Sequence, residues 1–209
     1  MNRQNVDLGS GKVSKLLFSL ALPTITSQIV NMLYNLVDRV YFGHMQPVDT
    51  VGKLALTGVG VCLPIIVVIS AFAALLAMGG APRASIQEGR GNPKEAECIM
   101  GNCFTMLVMA SVVLTVVLQL FARDLLLLFG ASENTIDYAA AYMGIYSLGT
   151  IFVQVTLGMN AYITAQGFTT VSMRTTLIGA GLNIVLDPIF IFGLDMGVRG
   201  AAVATILSQ

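Results

Sequence analysis

The sequence predicts an all-α, polytopic membrane protein, and three observations carry that expectation. Hydrophobic residues make up 56% of the chain and charged residues only 11%, against about 25% charged in ordinary soluble domains. Mean hydropathy is +0.80, and the apolar residues gather into runs of the roughly 20 residues that a helix needs to cross a bilayer. The runs are joined by short segments, HMQPVD, GRGNPKE, FGASEN, AQGFTT and GLDMG, whose Gly, Pro, Asn and Asp suit tight turns and leave no room for a soluble domain.

Taken in order, the runs predict membrane spans near residues 15–42, 54–80, 97–122, 138–161 and 171–193, with a sixth over 198–209 that the chain ends inside. A sequence that stops within a helix, at AAVATILSQ, is expected to be a fragment of a longer polypeptide. The N-terminal MNRQNVDLGSGKVSK is polar and the apolar run behind it exceeds a signal-peptide core, so no cleavable signal is expected.

The first span carries the most chemistry. Thr24, Gln28, Asn31, Asn35 and Asp38 follow one another at spacings of four, three, four and three, which places them on one helix face. Hydrocarbon offers such a stripe no partners, so it is expected to face a protein interior or a wet cavity. An ionised Asp inside a membrane costs roughly 2.5–3.5 kcal/mol on insertion scales, which makes Asp38 a functional candidate. The alternative is a structural pairing with a charge on a neighbouring helix. Pro23 removes the helical donor from the carbonyl of Ser19 and marks a bending point.

Lys and Arg give the orientation. Arg3, Lys12 and Lys15, then Arg83, Arg90 and Lys94, then Arg174 lie on one side, while Lys53, Arg123 and Arg199 lie on the other with Arg39 near the same edge. Positive charge marks the cytoplasmic side, so the N-terminus is expected inside and Asp38 in the outer half of the membrane.

The fifth span, SMRTTLIGAGLNIVLDPIFIFG, holds one carboxylate, Asp187, with Asn183 four residues earlier on the same face. It runs in the same direction as the first, so both acids fall at similar depth. Close carboxylates do not both ionise cheaply, so such a pair holds a proton or a cation. Pro188 takes the helical donor from the carbonyl of Ile184, offering a further cation ligand unless it is re-satisfied locally.

Weaker signals have ordinary readings beside them. Tyr142 and Tyr146 share a face of the fourth span, with Asn160 near its inner end; they line a cavity, or Tyr142 anchors at the interface. Met100, Met106 and Met109 form an adaptable apolar wall or simply pack. Gly58, Gly60, Gly79, Gly80, Gly179 and Gly181 are expected to let helices approach closely. Cys62, Cys98 and Cys103 suit small buried hydrophobes better than a disulfide framework or a metal site. His44 reads as an interfacial loop residue, Arg39 as a side chain reaching for the interface. A net charge of zero excludes a basic nucleic-acid footprint, and no nucleophile–base pair stands out.

LALP at 20–23, NLVDRVYFGH at 35–44, LNIVLDPIFIFG at 182–193 and GVRGAAVAT at 197–205 together resemble the N-terminal half of prokaryotic multidrug and toxic-compound extrusion (MATE) transporters. The resemblance implies that residues 1–209 are a six-helix lobe, its sixth helix truncated, of a twelve-helix molecule whose C-terminal lobe is absent here. It implies a multi-pass protein of the cytoplasmic (inner) membrane that exports cationic or amphipathic drugs in exchange for H⁺ or Na⁺, with no other cofactor. It also implies a polar pocket of Asp38, Asn183 and Asp187 completed by Thr205 and Tyr142, holding a proton or a Na⁺ at Asp38, Asn183, Asp187 and Thr205, with Gln28, Asn31, Asn35 and Tyr146 as cavity-lining candidates. The first-helix proline whose bending accompanies pocket changes in some members maps onto Pro23.

Cation-coupled multidrug antiport by alternating access is therefore the leading expectation. The alternative is a lipid-linked precursor flippase or polysaccharide exporter of the same architecture, which would be expected to show a more cationic cleft. A remote alternative is an intramembrane aspartyl protease, but the acids read Val37-Asp38 and Leu186-Asp187 rather than the Tyr-Asp and Gly-x-Gly-Asp contexts of that family.

Overall fold

A computed structural model describes residues 13–45 and 47–209; Arg3 and Lys12 of the basic N-terminal tail lie outside the described residues. The described residues form helices α1 (Val13–Gly43), α2 (Lys53–Gly89), α3 (Pro93–Leu128), α4 (Ile136–Leu148), α5 (Thr150–Ala165), α6 (Thr169–Pro188) and α7 (Val198–Leu207), with no strand among them. Four helical segments are long and apolar enough to cross a membrane, and a fifth arises if the bent pair α4–α5 is one span.

Two boundaries depart from expectation. The second span is expected to end near residue 80, yet α2 continues through Pro82 to Gly89, since helices of this kind tolerate proline. The helix stops instead at a short turn where Gly91 takes φ +78° and Pro93 opens α3, a position that needs no N–H. The fourth span is two helices bent by 58°, hinged at Gly149. A Cβ there would collide with the Ile206 side chain of α7, so glycine lets α7 press into the bend. The backbone around the break is tied to α3: Gln119 Nε2 donates to the Gly144 carbonyl at 2.8 Å and Thr115 Oγ1 to the Ser147 carbonyl at 2.9 Å. A kink needs such substitutes for lost helical bonds.

The core lies among α2, α3, α4 and α5, around Cys62, Ile69, Leu118, Leu126, Met143 and Val153. Helix α1 rests chiefly on α6; Tyr41 meets Phe192 edge-on at 6.3 Å. After Pro188 the chain widens into a π-helical turn, Ile189–Gly193, closed by the Leu194 N–H on the Ile189 carbonyl at 2.9 Å. Helix α7 then packs so tightly that a Cβ on Gly200 would stand 2.6 Å from the Phe190 carbonyl oxygen.

The glycine expectation divides. Gly58, Gly80 and Gly179 stand at close approaches, against Thr135, against Tyr162 with Cys103, and against Ser208. Gly60, Gly79 and Gly181 have nothing within 4 Å of a Cβ position, so they admit no neighbour. The cysteine expectation needs one correction: Cys62 is buried, but Cys98 is exposed on the outer face of α3.

Candidate cation site and polar cavity

Helix α6 presents Asn183 and Asp187 one turn apart, 1% and 0% exposed. The Asn183 Nδ2 donates to Asp187 Oδ1 at 3.4 Å. From α1, Asp38 comes close enough to Asp187 for the two carboxyls to interact. Such a pair holds a proton between its carboxyls or, without one, needs a cation. Asp38 Oδ1, Asp187 Oδ2 and Asn183 Oδ1 are all buried with no donor among the described residues. Buried acceptors are seldom left so. Three in one place form an all-oxygen set, of the kind that suits a proton or a hard cation.

Tyr142 and Thr205 close the far side. The Tyr142 hydroxyl lies beside Thr205, whose own hydroxyl donates to the Ala201 carbonyl at 2.9 Å. Thr205 is thus engaged, unlike the three orphaned oxygens. The Tyr142 ring stacks on Tyr146, centroids 5.8 Å apart, and meets Phe42 edge-on at 6.3 Å. All three rings belong to the core.

Asn183 also faces a cavity of about 280 Å³, lined with it by Asn31, Asn35, Asn160, Thr175 and Tyr146 among others. Amides and hydroxyls dominate, and among the described residues no charged side chain lines it. Asn31, Asn35 and Tyr146 therefore sit where cavity-lining residues were sought. Gln28 and Thr24 do not: both are exposed on α1 beyond the cavity. The stripe is continuous along the helix, but only its outer part lies against α6.

The prolines act differently from one another. The Ile184 carbonyl that Pro188 deprives of its helical donor receives the Tyr41 hydroxyl from α1 at 3.4 Å. It ties α1 to α6 and is not left over as a cation ligand. Around Pro23, Thr24, Thr26 and Ser27 each donate to the carbonyl four residues back, at 2.9, 2.9 and 3.0 Å. Hydroxyls bonded in this way bend helices slightly.

Tyr34 escaped sequence reasoning. It lines the cavity and lies close enough to Asp38 to feel its charge. The spacing that selected Asn31 and Asp38 also selects Tyr34, three residues after one and four before the other; its aromatic ring disguised it as core. Gln154 of α5 also went unremarked. It is fully buried, donating to the Ile69 carbonyl at 2.8 Å, and nothing in its local sequence distinguishes it from an exposed glutamine.

Bent apolar helices around two neighbouring carboxyls make this a polytopic membrane lobe. The MatE family model matches residues 23–189, and the chain belongs to that family. It is 27% identical over 198 residues to the multidrug export protein MepA of Staphylococcus haemolyticus, covering 94% of this chain and 42% of that protein. It is 30% identical over 204 residues to the probable multidrug resistance protein NorM of Thermotoga maritima, covering 95% and 42%. Among solved structures, the MATE multidrug transporter DinF-BH superposes with a TM-score of 0.90 at 35% identity, over 100% of this chain and 46% of that one. The chain spans less than half the length of these relatives.

Proposed function

We propose that this chain is the N-terminal lobe of a twelve-helix, cation-coupled multidrug antiporter of the cytoplasmic membrane, with its N-terminus inside. The observation that carries the reading is the cluster of three donor-less oxygens on Asp38, Asp187 and Asn183. A proton or Na⁺ there neutralises the acid pair, and a ligand shifts a conformational equilibrium only by its difference in affinity for the two states. Removing charge from a desolvated pair supplies such a difference. Tyr142 and Thr205 hold the wall of the site, and the amide-lined cavity gives a cation a polar route to it. Cargo binds in the cleft with the C-terminal lobe. Relatives named as multidrug export and resistance proteins support drug as cargo. A cavity without basic side chains favours cationic over anionic cargo.

The test is efflux of a cationic dye from vesicles holding the full-length transporter, under an imposed H⁺ or Na⁺ gradient. Wild type is expected to be driven by one gradient, which names the ion. Asp38→Asn and Asp187→Asn are expected to fold yet lose at least about tenfold in gradient-driven efflux, corresponding to about 1.4 kcal/mol of lost coupling. Equal efflux by both variants and wild type would place the coupling elsewhere. Movement of lipid-linked sugar instead of dye would replace drug export with precursor flipping.

A further inference from the structure

Away from the acid pair, a groove of about 750 Å³ opens between α2 and α3 near their connecting turn. Leu76, Gly79, Arg83 and Arg90 line it from α2. Their spacings of three, four and seven put them on one helix face. From α3, Ile99 and Asn102 face them, three residues apart. The groove is apolar at its deep end and cationic at its mouth. Gly79 opens its floor, since a Cβ there would meet nothing within 4 Å.

Helix α2 has 37 residues, roughly 55 Å at about 1.5 Å per residue, while a bilayer's hydrocarbon core is about 30 Å thick. At least one end of α2 must therefore reach past the hydrocarbon, and the charged turn after Gly89 marks this as that end. Arg83 lies about 9 Å of helix before Gly89, at the depth of the headgroups, and Arg90 lies beyond it. Among the described residues neither guanidinium has a carboxylate partner. Glu95 also lines the groove, on the water side near Arg90, and leaves Arg83 uncompensated.

We propose that this groove is a binding site for an anionic glycerophospholipid. The phosphate lies between Arg83 and Arg90, and one acyl chain runs along Leu76 and over Gly79. Guanidinium groups favour phosphate through paired N–H donors, and basic pockets between membrane helices recognise anionic headgroups. The site is independent of drug export and of Asp38.

Binding of fluorescent phosphatidylglycerol and phosphatidylcholine to the full-length polypeptide in neutral detergent tests the proposal. Each surface cation contributes about 1 kcal/mol toward an anionic headgroup, about fivefold in affinity, so phosphatidylglycerol is expected to bind about 30-fold tighter than phosphatidylcholine. Arg83→Gln and Arg90→Gln are each expected to lose about fivefold for phosphatidylglycerol and clearly less for phosphatidylcholine, whose choline already offsets its phosphate. Gly79→Leu, which fills open space, is expected to weaken both lipids at least tenfold at an unchanged melting temperature. Equal affinity for the two lipids, or full affinity in Gly79→Leu, overturns the proposal. So does glycerol 3-phosphate displacing the lipid at equal concentration, since it lacks the chains. Should Gly79→Leu lower the melting temperature, the arginine variants decide alone.

Discussion

The two parts of the Tyr142 side chain are separable. Its hydroxyl lies beside Thr205, while its ring is held independently by Tyr146 and Phe42. Tyr142→Phe keeps the ring and loses the hydroxyl, so it is expected to destabilise by about 1 kcal/mol, whereas Tyr142→Ala also leaves a cavity and is expected to lose about 3–5 kcal/mol. A double-mutant cycle of Tyr142→Phe with Thr205→Val, read by thermal unfolding in detergent, should give a coupling near 1 kcal/mol. Additivity of the two changes would show that the hydroxyls do not meet. Asp38, Asn183 and Asp187 were legible from the sequence because carboxylates and amides are rare in apolar helices and their spacing shows their face. That the Ile184 carbonyl is taken by Tyr41 was not legible, because the contact joins residues 143 positions apart.

Elements were legible wherever an apolar run had unambiguous ends. The first span, expected at 15–42, is α1, Val13–Gly43. The break in the fourth span was hidden: Leu148, Gly149 and Thr150 continue the apolar run without a proline, and the cause of the bend is Ile206, far along the chain. Likewise the second span runs past residue 80 because local rules ignore the support that α3 and α5 give α2. The π turn after Pro188 depends on close contact with α7. Gly200→Ala would place a Cβ 2.6 Å from backbone that has nowhere to move, and is expected to destabilise by about 1–3 kcal/mol. Gly181→Ala, in the open, is expected to be neutral or to stabilise by up to about 1 kcal/mol through helix propensity. Melting temperatures of the two variants against wild type check both; equal behaviour would mean that α7 yields freely.

At the scale of the whole molecule, composition alone announced a membrane protein, the family resemblance made it one lobe, and the arrangement of its helices explains why α1 carries the stripe. Resting chiefly on α6, α1 has few contacts for its length. Asp38 approaches Asp187 and the Tyr41 hydroxyl meets the Ile184 carbonyl, so both of these ties go to α6. Hydrogen exchange is expected to run faster in α1 than in α2, whose core residues Cys62, Ile65 and Ile69 are almost fully enclosed. Equal protection of the two helices would show that α1 is locked into the lobe. The length of α2 and α3 has a practical consequence. A rigid protein spliced between Gly91 and Asn92 would ride on two unbroken helices, like a mast on its stays, and its angle to the bilayer in electron micrographs would report the tilt of the lobe.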